Sequence, residues 1–324
     1  MAGTIAEGEL TKENDMRLKT VLALVGVSAA LWLVPVARSA DSEEMTRTED
    51  VIYGRKDGMA LTMDVFTPGK DANGAAVIWV VSGGWFSAHE AINVGGCQAL
   101  AKRGYTVFAV VHGSQPRFTL QDAVGDLNRA TRYIRTNAER FKIDPDRIGI
   151  TGGSAGGHLS LMQGTAGDLG SKDAKDPVDR ASSRVQAVAC FFPPTDFLNW
   201  GEEGKVATQD DVLKQLKLAA PFEFKQLNAD TRIYERVDDK KSRELLKDFS
   251  PISHVAKDNP PMLIIHGDKD RIVPIQQARL FADRCKAEGA KCELIIKEGA
   301  DHGWQEMGKD VEKFADWFDK YLKK

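Results

Sequence analysis

The chain has 324 residues, 42% apolar, 28% charged and 8% aromatic, which excludes disordered and fibrous classes and suits one large globular domain or two ordinary ones. Its 44 lysines and arginines against 47 acidic residues give a formal charge of −3, so there is no electrostatic case for a nucleic-acid or anionic-membrane partner. Cys97, Cys190, Cys285 and Cys292 include no Cys-x-x-Cys pair, which excludes a disulfide-built scaffold and a zinc ribbon and leaves a hydrophobic core to hold the fold.

Residues 1–40 have the layout of a secretory signal. Met16-Arg17-Leu18-Lys19 is a short positive segment, the run from Val21 to Val36 is apolar, and Ala37, Ser39 and Ala40 suit a cleaving peptidase. The apolar run falls short of the ~20 residues of a comfortable membrane span. Ala2 to Asp15 carries four acids and one base, the wrong sign for a leading segment, so Met16 reads as the start. The expectation is an exported protein, secreted or periplasmic, whose mature part begins near Ala40 or Asp41 and keeps no stable membrane insertion. A buried helix or an uncleaved anchor is the alternative. Residues 41–324 then form a single domain. In an oxidising compartment Cys285 and Cys292 can pair across a helix-to-strand turn, a connectivity that sequence leaves open, whereas Cys97 and Cys190 read as buried thiols.

Asp50–Arg55 and Met59–Phe66 read as two strands joined by Lys56-Asp57-Gly58, a hairpin signal. Ala76–Ser82, Thr106–Val111, Ile148–Thr151, Val185–Phe192, Met262–His266 and Glu293–Lys297 are short apolar runs of the kind found in parallel strands buried on both faces. Between them Glu90–Arg103, Leu120–Phe141, Ala155–Gly164, Ile275–Glu288 and Lys309–Leu322 read as helices; in the second, Ala123, Leu127, Ala130, Tyr133 and Ile134 form one apolar stripe. This alternation implies an α/β sandwich with a mostly parallel central sheet and helices on both faces. Asn199–Ser250, charged and helix-like, reads as an insertion over the carboxyl edge of that sheet.

Ile148 to Leu159 runs strand, glycine-flanked serine, helix: Gly152-Gly153-Ser154-Ala155-Gly156 is Gly-x-Ser-x-Gly in its required context. A tight turn lifts the Ser154 hydroxyl clear of the sheet, and the helix that starts there aims free N–H groups at developing negative charge. No Gly-Lys-Ser/Thr ending supports a phosphate loop instead. A serine needs a base, and the base needs an orienting carboxylate. Asp270, after the strand ending at His266, and His302, in Gly299-Ala300-Asp301-His302-Gly303-Trp304, each follow a parallel strand at the edge where such folds bind ligands. Asp268 is the rival acid, read as a turn residue, and His112, at the end of its strand, is the rival base. His158 reads as packing or capping, His266 as buried, and His89 and His254 as loop or helix-start residues. The oxyanion falls to the backbone N–H of Gly84 or Trp85, in Val81-Ser82-Gly83-Gly84-Trp85, together with that of Ala155. Trp85, Phe86, Trp200 and Trp304 are candidates to line a substrate pocket. No residue pattern calls for a metal or an organic cofactor.

Together with Lys142-Ile143-Asp144-Pro145-Asp146-Arg147-Ile148, Ser250-Pro251-Ile252-Ser253-His254-Val255 and His266-Gly267-Asp268-Lys269-Asp270, these motifs resemble the α/β-hydrolase superfamily. The likeness is greatest to its esterase branch, related to feruloyl esterases, acetyl esterases and the catalytic domain of prolyl oligopeptidases, and runs from about Asp50 to the C-terminus. The resemblance implies the α/β-hydrolase fold and a Ser154–Asp270–His302 triad that hydrolyses carboxylic esters through an acyl-enzyme. It makes acetyl or feruloyl esters of polysaccharides, or small-molecule esters, the expected substrates. Relatives commonly carry His-Gly-Gly where this chain has Ser82-Gly83-Gly84, a departure that bears on how the oxyanion loop is braced. Peptidase relatives carry a large additional N-terminal domain, whereas here the first strand follows the signal almost at once. A small secreted peptidase or amidase, and a binding protein that keeps the fold without turnover, are the alternatives; oligomeric state is open.

Overall fold

Asp57 and Gly58, at φ 50° and 77°, turn the chain between β1 (Met45–Lys56) and β2 (Met59–Pro68). Positive φ at both central residues is what a two-residue hairpin demands, because only that turn matches the right-handed twist of the strands. The computed structural model describes residues 45–323, all within one compact unit; the signal segment, the Met16 start and the cleavage site lie outside them.

Six further strands complete the main sheet: β3 (Ala76–Val81), β4 (Thr106–Val111), β5 (Ile148–Gly153), β6 (Ala187–Phe191), β9 (Met262–Gly267) and β10 (Cys292–Lys297). Their order is β1-β2-β4-β3-β5-β6-β9-β10. The β1–β2 and β2–β4 pairs are antiparallel, and every pair from β4 to β10 is parallel. The central strands are mostly apolar because both faces are covered. In β3, Ile78 and Val80 face one core with Leu127, Leu159 and Phe281, while Val77, Trp79 and Val81 face a second with Leu100, Phe314 and Phe318.

The helices on these faces are α1 (Val94–Lys102), α2 (Leu120–Thr136), the short α3 (Ala138–Phe141), α4 (Ala155–Ala166), α7 (Gln276–Glu288) and α8 (Met307–Leu322). Two are shorter than their patterns predict. The first starts at Val94, where Asn93 accepts the N–H of Gly96, leaving only a 3₁₀ turn at 89–91. The expected Leu120–Phe141 helix breaks at Asn137, whose amide donates to the Tyr133 carbonyl at 2.8 Å.

The 199–250 segment is less helical than its charge pattern predicts. It contains α5 (Asp211–Gln215), a small hairpin of β7 (Lys225–Leu227) and β8 (Tyr234–Arg236), and α6 (Asp239–Asp248). Cys285 and Cys292 are both free thiols; a hydrogen bond with Cys285, together with burial, pushes the Cys292 thiol above its ordinary range. Cys97 is buried, which pushes its thiol up to about 12. Among the described residues no helix is long and apolar enough to cross a membrane.

One contact sets the geometry of the β5–α4 junction. A Cβ on Gly152 would lie 2.6 Å and 2.7 Å from the carbonyl carbon and oxygen of Gly156, backbone atoms that cannot swing aside. Gly152→Ala is therefore expected to cost about 3 kcal/mol or more, read as a lowered urea midpoint at unchanged slope.

Candidate active site

Ser154 joins β5 to α4 at φ 54°, ψ −120°, a conformation an L-residue keeps only when its surroundings impose it. Its N–H is held by the Phe191 carbonyl at 3.0 Å, and its own carbonyl accepts the His158 N–H at 2.9 Å. A Cβ on Gly156 would meet the Val80 carbonyl oxygen at 2.9 Å, so the start of α4 lies directly against β3. Ala155 is the first helical residue, and its N–H, like the others of that turn, has no partner within the helix.

Asp270 and His302 come from the loops after β9 and β10. The His302 Nδ1–H donates to Asp270 Oδ2 at 2.7 Å, with Asp270 buried and the His302 side chain 16% exposed. The other oxygen of Asp270 accepts the N–H groups of Ile272 and Val273, both at 2.9 Å, and His266 Nε2 lies 3.2 Å from Oδ2. Burial alone would raise this carboxyl. The hydrogen bonds from His266, His302 and Val273, with the charge of His302, outweigh burial and hold it well below the usual carboxylate range. Asp268 instead accepts the Gly299 N–H at 2.7 Å, the turn role expected of it.

Three participants carried no sequence signal of their own. Asp301 accepts the N–H groups of Arg271 and His302 and the Arg271 guanidinium, tying the two loops together. Phe192, at φ 34°, packs its ring 4.3 Å from that of His302, and the same ring lies 3.4 Å from where a Gly153 Cβ would be. His266, expected only to be buried, is a second partner of Asp270. Among the described residues Ser154 Oγ and His302 Nε2 make no hydrogen bond to each other. Hydrogen bonds between a nucleophile and its base commonly tighten only once a substrate is in place.

The loop after β3 is a two-residue hairpin. Gly83 and Phe86 exchange both backbone hydrogen bonds, at 2.9 and 3.0 Å, across Gly84 and Trp85 at φ 55° and 58°. Gln115 takes up the carbonyls of Gly84, through its side chain, and of Trp85, through its N–H. Among the described residues the N–H groups of Gly84 and Trp85 have no acceptor. A Cβ on Gly84 would lie 2.4 Å from Cδ2 of Leu218, so the 199–250 insertion packs directly onto this loop.

Ser82, where the resemblance leads one to expect histidine, lies 2.8 Å from His112 Nε2. His112 Nδ1 lies 2.8 Å from the Gly113 carbonyl, which can only accept, so Nδ1 carries the proton and the Ser82 hydroxyl donates to Nε2. Burial pushes His112 down to about 4, against the Gly113 hydrogen bond. This neutral imidazole, just past the end of β4, braces the loop through Ser82.

The pocket residues divide. Phe86 is 52% exposed, but Trp200 is 1% exposed and Trp85 3%, both inside an aromatic cluster with Phe197, which corrects their reading as pocket-lining side chains. Burying the indoles covers more apolar surface than a pocket wall would. Trp304 is half-buried, donates to Asp310 at 2.6 Å and packs on Phe191 and Phe192. A cavity of about 380 Å³ opens onto His302, walled by Val212 and Leu216 of the insertion and by Arg271, Ile272 and Asp301. A larger one, about 630 Å³, lies away along β1 and α2, where Lys56 pairs with Asp126 and Arg129 with Asp176 and Asp179. Asp50, Asp64 and His89 cluster in metal-like fashion, but the Arg47 guanidinium already occupies Asp64 at 2.6 and 2.7 Å.

Because the fold depresses the Asp270 carboxyl, its contribution to stability is complete above the unfolded value of about 3.9 and is lost as pH falls below it. Urea unfolding is therefore expected to show a smaller loss of stability between about pH 5 and pH 2 in Asp270→Asn than in the parent.

The chain is 29% identical over 305 residues to the probable carboxylic ester hydrolase LipM of Mycobacterium tuberculosis, covering 88% of this chain and 64% of LipM. It is 26% identical to the esterase LipC of the same organism, covering 83% of this chain and 63% of LipC. The chain thus spans less than two thirds of the length of these two relatives. A truncated carbohydrate esterase from gut microbiota superposes with a TM-score of 0.69 at 26% identity, covering 88% of this chain and 99% of that one. Thermogutta terrifontis esterase 2, solved phosphonylated by sarin, superposes at 0.66 with 26% identity, over 84% and 94%. The fold is that of the α/β-hydrolases, and the BD-FAE family model matches residues 63–285. This chain belongs to the BD-FAE family.

Proposed function

We propose that the protein is a serine carboxylic-ester hydrolase in which Ser154 is the nucleophile, His302 the base and Asp270 the orienting carboxylate. The reading is carried by one observation: the His302 Nδ1–H is held at 2.7 Å by a buried carboxylate, on the sheet edge where Ser154 sits in its left-handed turn. With Nδ1 fixed, Nε2 carries the free lone pair and takes the Ser154 proton as Oγ attacks the ester carbonyl. The negative oxygen of the tetrahedral intermediate is received by the N–H of Ala155 with that of Gly84 or Trp85, donors already in place before reaction. His302 then protonates the leaving alcohol, and water activated by the same imidazole resolves the acyl-enzyme.

His302 gives its proton to the leaving oxygen, so the alcohol portion of the ester belongs in the cavity beside it. Val212, Leu216 and Ile272 offer that alcohol an apolar wall, and the Arg271–Asp301 pair a polar rim. Such a mixed surface suits a sugar ring, apolar on its face and polar at its edge. With the likeness to a carbohydrate esterase and the export layout of residues 16–40, this supports acetyl or feruloyl esters of polysaccharides met outside the cytoplasm.

Ser154→Ala is expected to lower kcat on p-nitrophenyl acetate at about pH 8 by 10³-fold or more, and Asp270→Asn by about 10³–10⁴-fold, since an unheld imidazole takes the wrong tautomer. Equal turnover in parent and Ser154→Ala would identify another nucleophile. Acetylated and feruloylated xylan assayed beside simple aryl esters and a peptide anilide test the substrate: release from xylan is expected, and turnover of the anilide alone would favour a peptidase.

A further inference from the structure

His158 lies one helical turn after Ser154, and nothing in the esterase mechanism uses it. Its backbone N–H hangs from the Ser154 carbonyl at 2.9 Å, and its side chain is fully buried beneath the hairpin after β3. There both ring nitrogens are engaged. Nδ1 lies 3.3 Å from the indole Nε1 of Trp85, and Nε2 lies 2.8 Å from the carbonyl of Phe249, which caps α6 in the insertion. An indole N–H can only donate and a carbonyl can only accept, so one tautomer is fixed: Nδ1 accepts and Nε2–H donates.

Trp85 is the residue whose position matters. It sits at φ 58° although it is not glycine, a conformation that must be enforced from outside the backbone. Its indole is the enforcing handle, 3% exposed and edge-on to His158, Phe197 and Phe222 at 5.7, 5.8 and 5.2 Å. Packing alone would accept any ring of this size beneath it. A ring with opposed hydrogen-bonding atoms, one to the oxyanion loop and one to the insertion, also fixes the direction of the indole. The direction of the backbone N–H of Trp85 follows from that.

We propose that His158 is a positioning residue that joins the oxyanion loop, the nucleophile helix and the 199–250 insertion into one unit, setting the aim of the loop's N–H groups at the oxyanion. The inference rests on the esterase reading above and on the oxyanion being received by this loop. Burial pushes His158 down to about 4, which keeps the imidazole neutral and its acceptor nitrogen available at working pH.

The test compares the parent with His158→Asn, His158→Leu and Trp85→Phe on p-nitrophenyl acetate, reading kcat and KM separately. It is joined by inhibition by an aryl trifluoromethyl ketone, which forms a tetrahedral oxyanion on the nucleophile, and by thermal midpoints. Loss of a whole oxyanion donor costs about 10²–10³-fold, so a misaimed one in His158→Leu is expected to cost about 30-fold in kcat. KM should stay within about threefold, and the ketone should weaken by a factor like that in kcat. Asn offers an acceptor near the position of Nδ1 and is expected to recover most of that loss. Trp85→Phe, which removes the donor and keeps a ring, is expected to lower kcat without raising KM, and it decides the matter if His158→Leu does not fold. A folded His158→Leu, or Trp85→Phe, with kcat and ketone inhibition like those of the parent overturns the inference and leaves the esterase reading standing. A parent with no more turnover than Ser154→Ala overturns both.

Discussion

The meeting of Gly152 and Gly156, backbone against backbone, is the constraint on which the rest of the site depends. It lets β5 pass into α4 with Ser154 at φ 54°, and places the start of that helix against the carbonyls of β3. A side chain at either glycine would separate strand from helix and withdraw both the hydroxyl and the N–H of Ala155 from the sheet edge. The strain held at Ser154 is sustained by a sheet whose central strands are buried on both faces, so the turn has nothing softer to relax into.

Electrostatics then divide the histidines by role. His112 and His158 are buried among groups that favour the neutral ring, and each spends one nitrogen on a carbonyl and the other on a donor from the loop after β3. They are anchors. His302 alone combines a carboxylate at Nδ1 with a partly exposed ring whose second nitrogen is unengaged among the described residues. Held well below the usual carboxylate range, Asp270 stays ionised at neutral pH and keeps its hold on the His302 Nδ1–H.

Much of this was legible in the sequence because the signals are local. Glycines flanking Ser154 after an apolar run, Asp-Gly between two strand patterns, and an acid and a histidine each just past a strand are short-range features with steric or chemical causes. What was not legible depends on contacts remote in sequence. The burial of Trp85 follows from Phe197, Phe222 and His158, all far along the chain, and Trp200 is drawn into the same cluster beside Phe197. The hairpin inside the insertion, Lys225–Leu227 with Tyr234–Arg236, is masked by charge that reads as helical. The partner of Ser82, the His112 imidazole just past β4, is another contact that the local sequence does not report.

The most direct test of the central claim is covalent. The account requires one hydroxyl, that of Ser154, to be activated by the imidazole that Asp270 holds. The measurement is the intact mass and peptide map of the protein after brief treatment with a fluorophosphonate at neutral pH. A single adduct on the peptide containing Ser154, absent in His302→Ala, is the result the account predicts. An adduct on another residue, or labelling of Ser154 that is indifferent to His302, would contradict it.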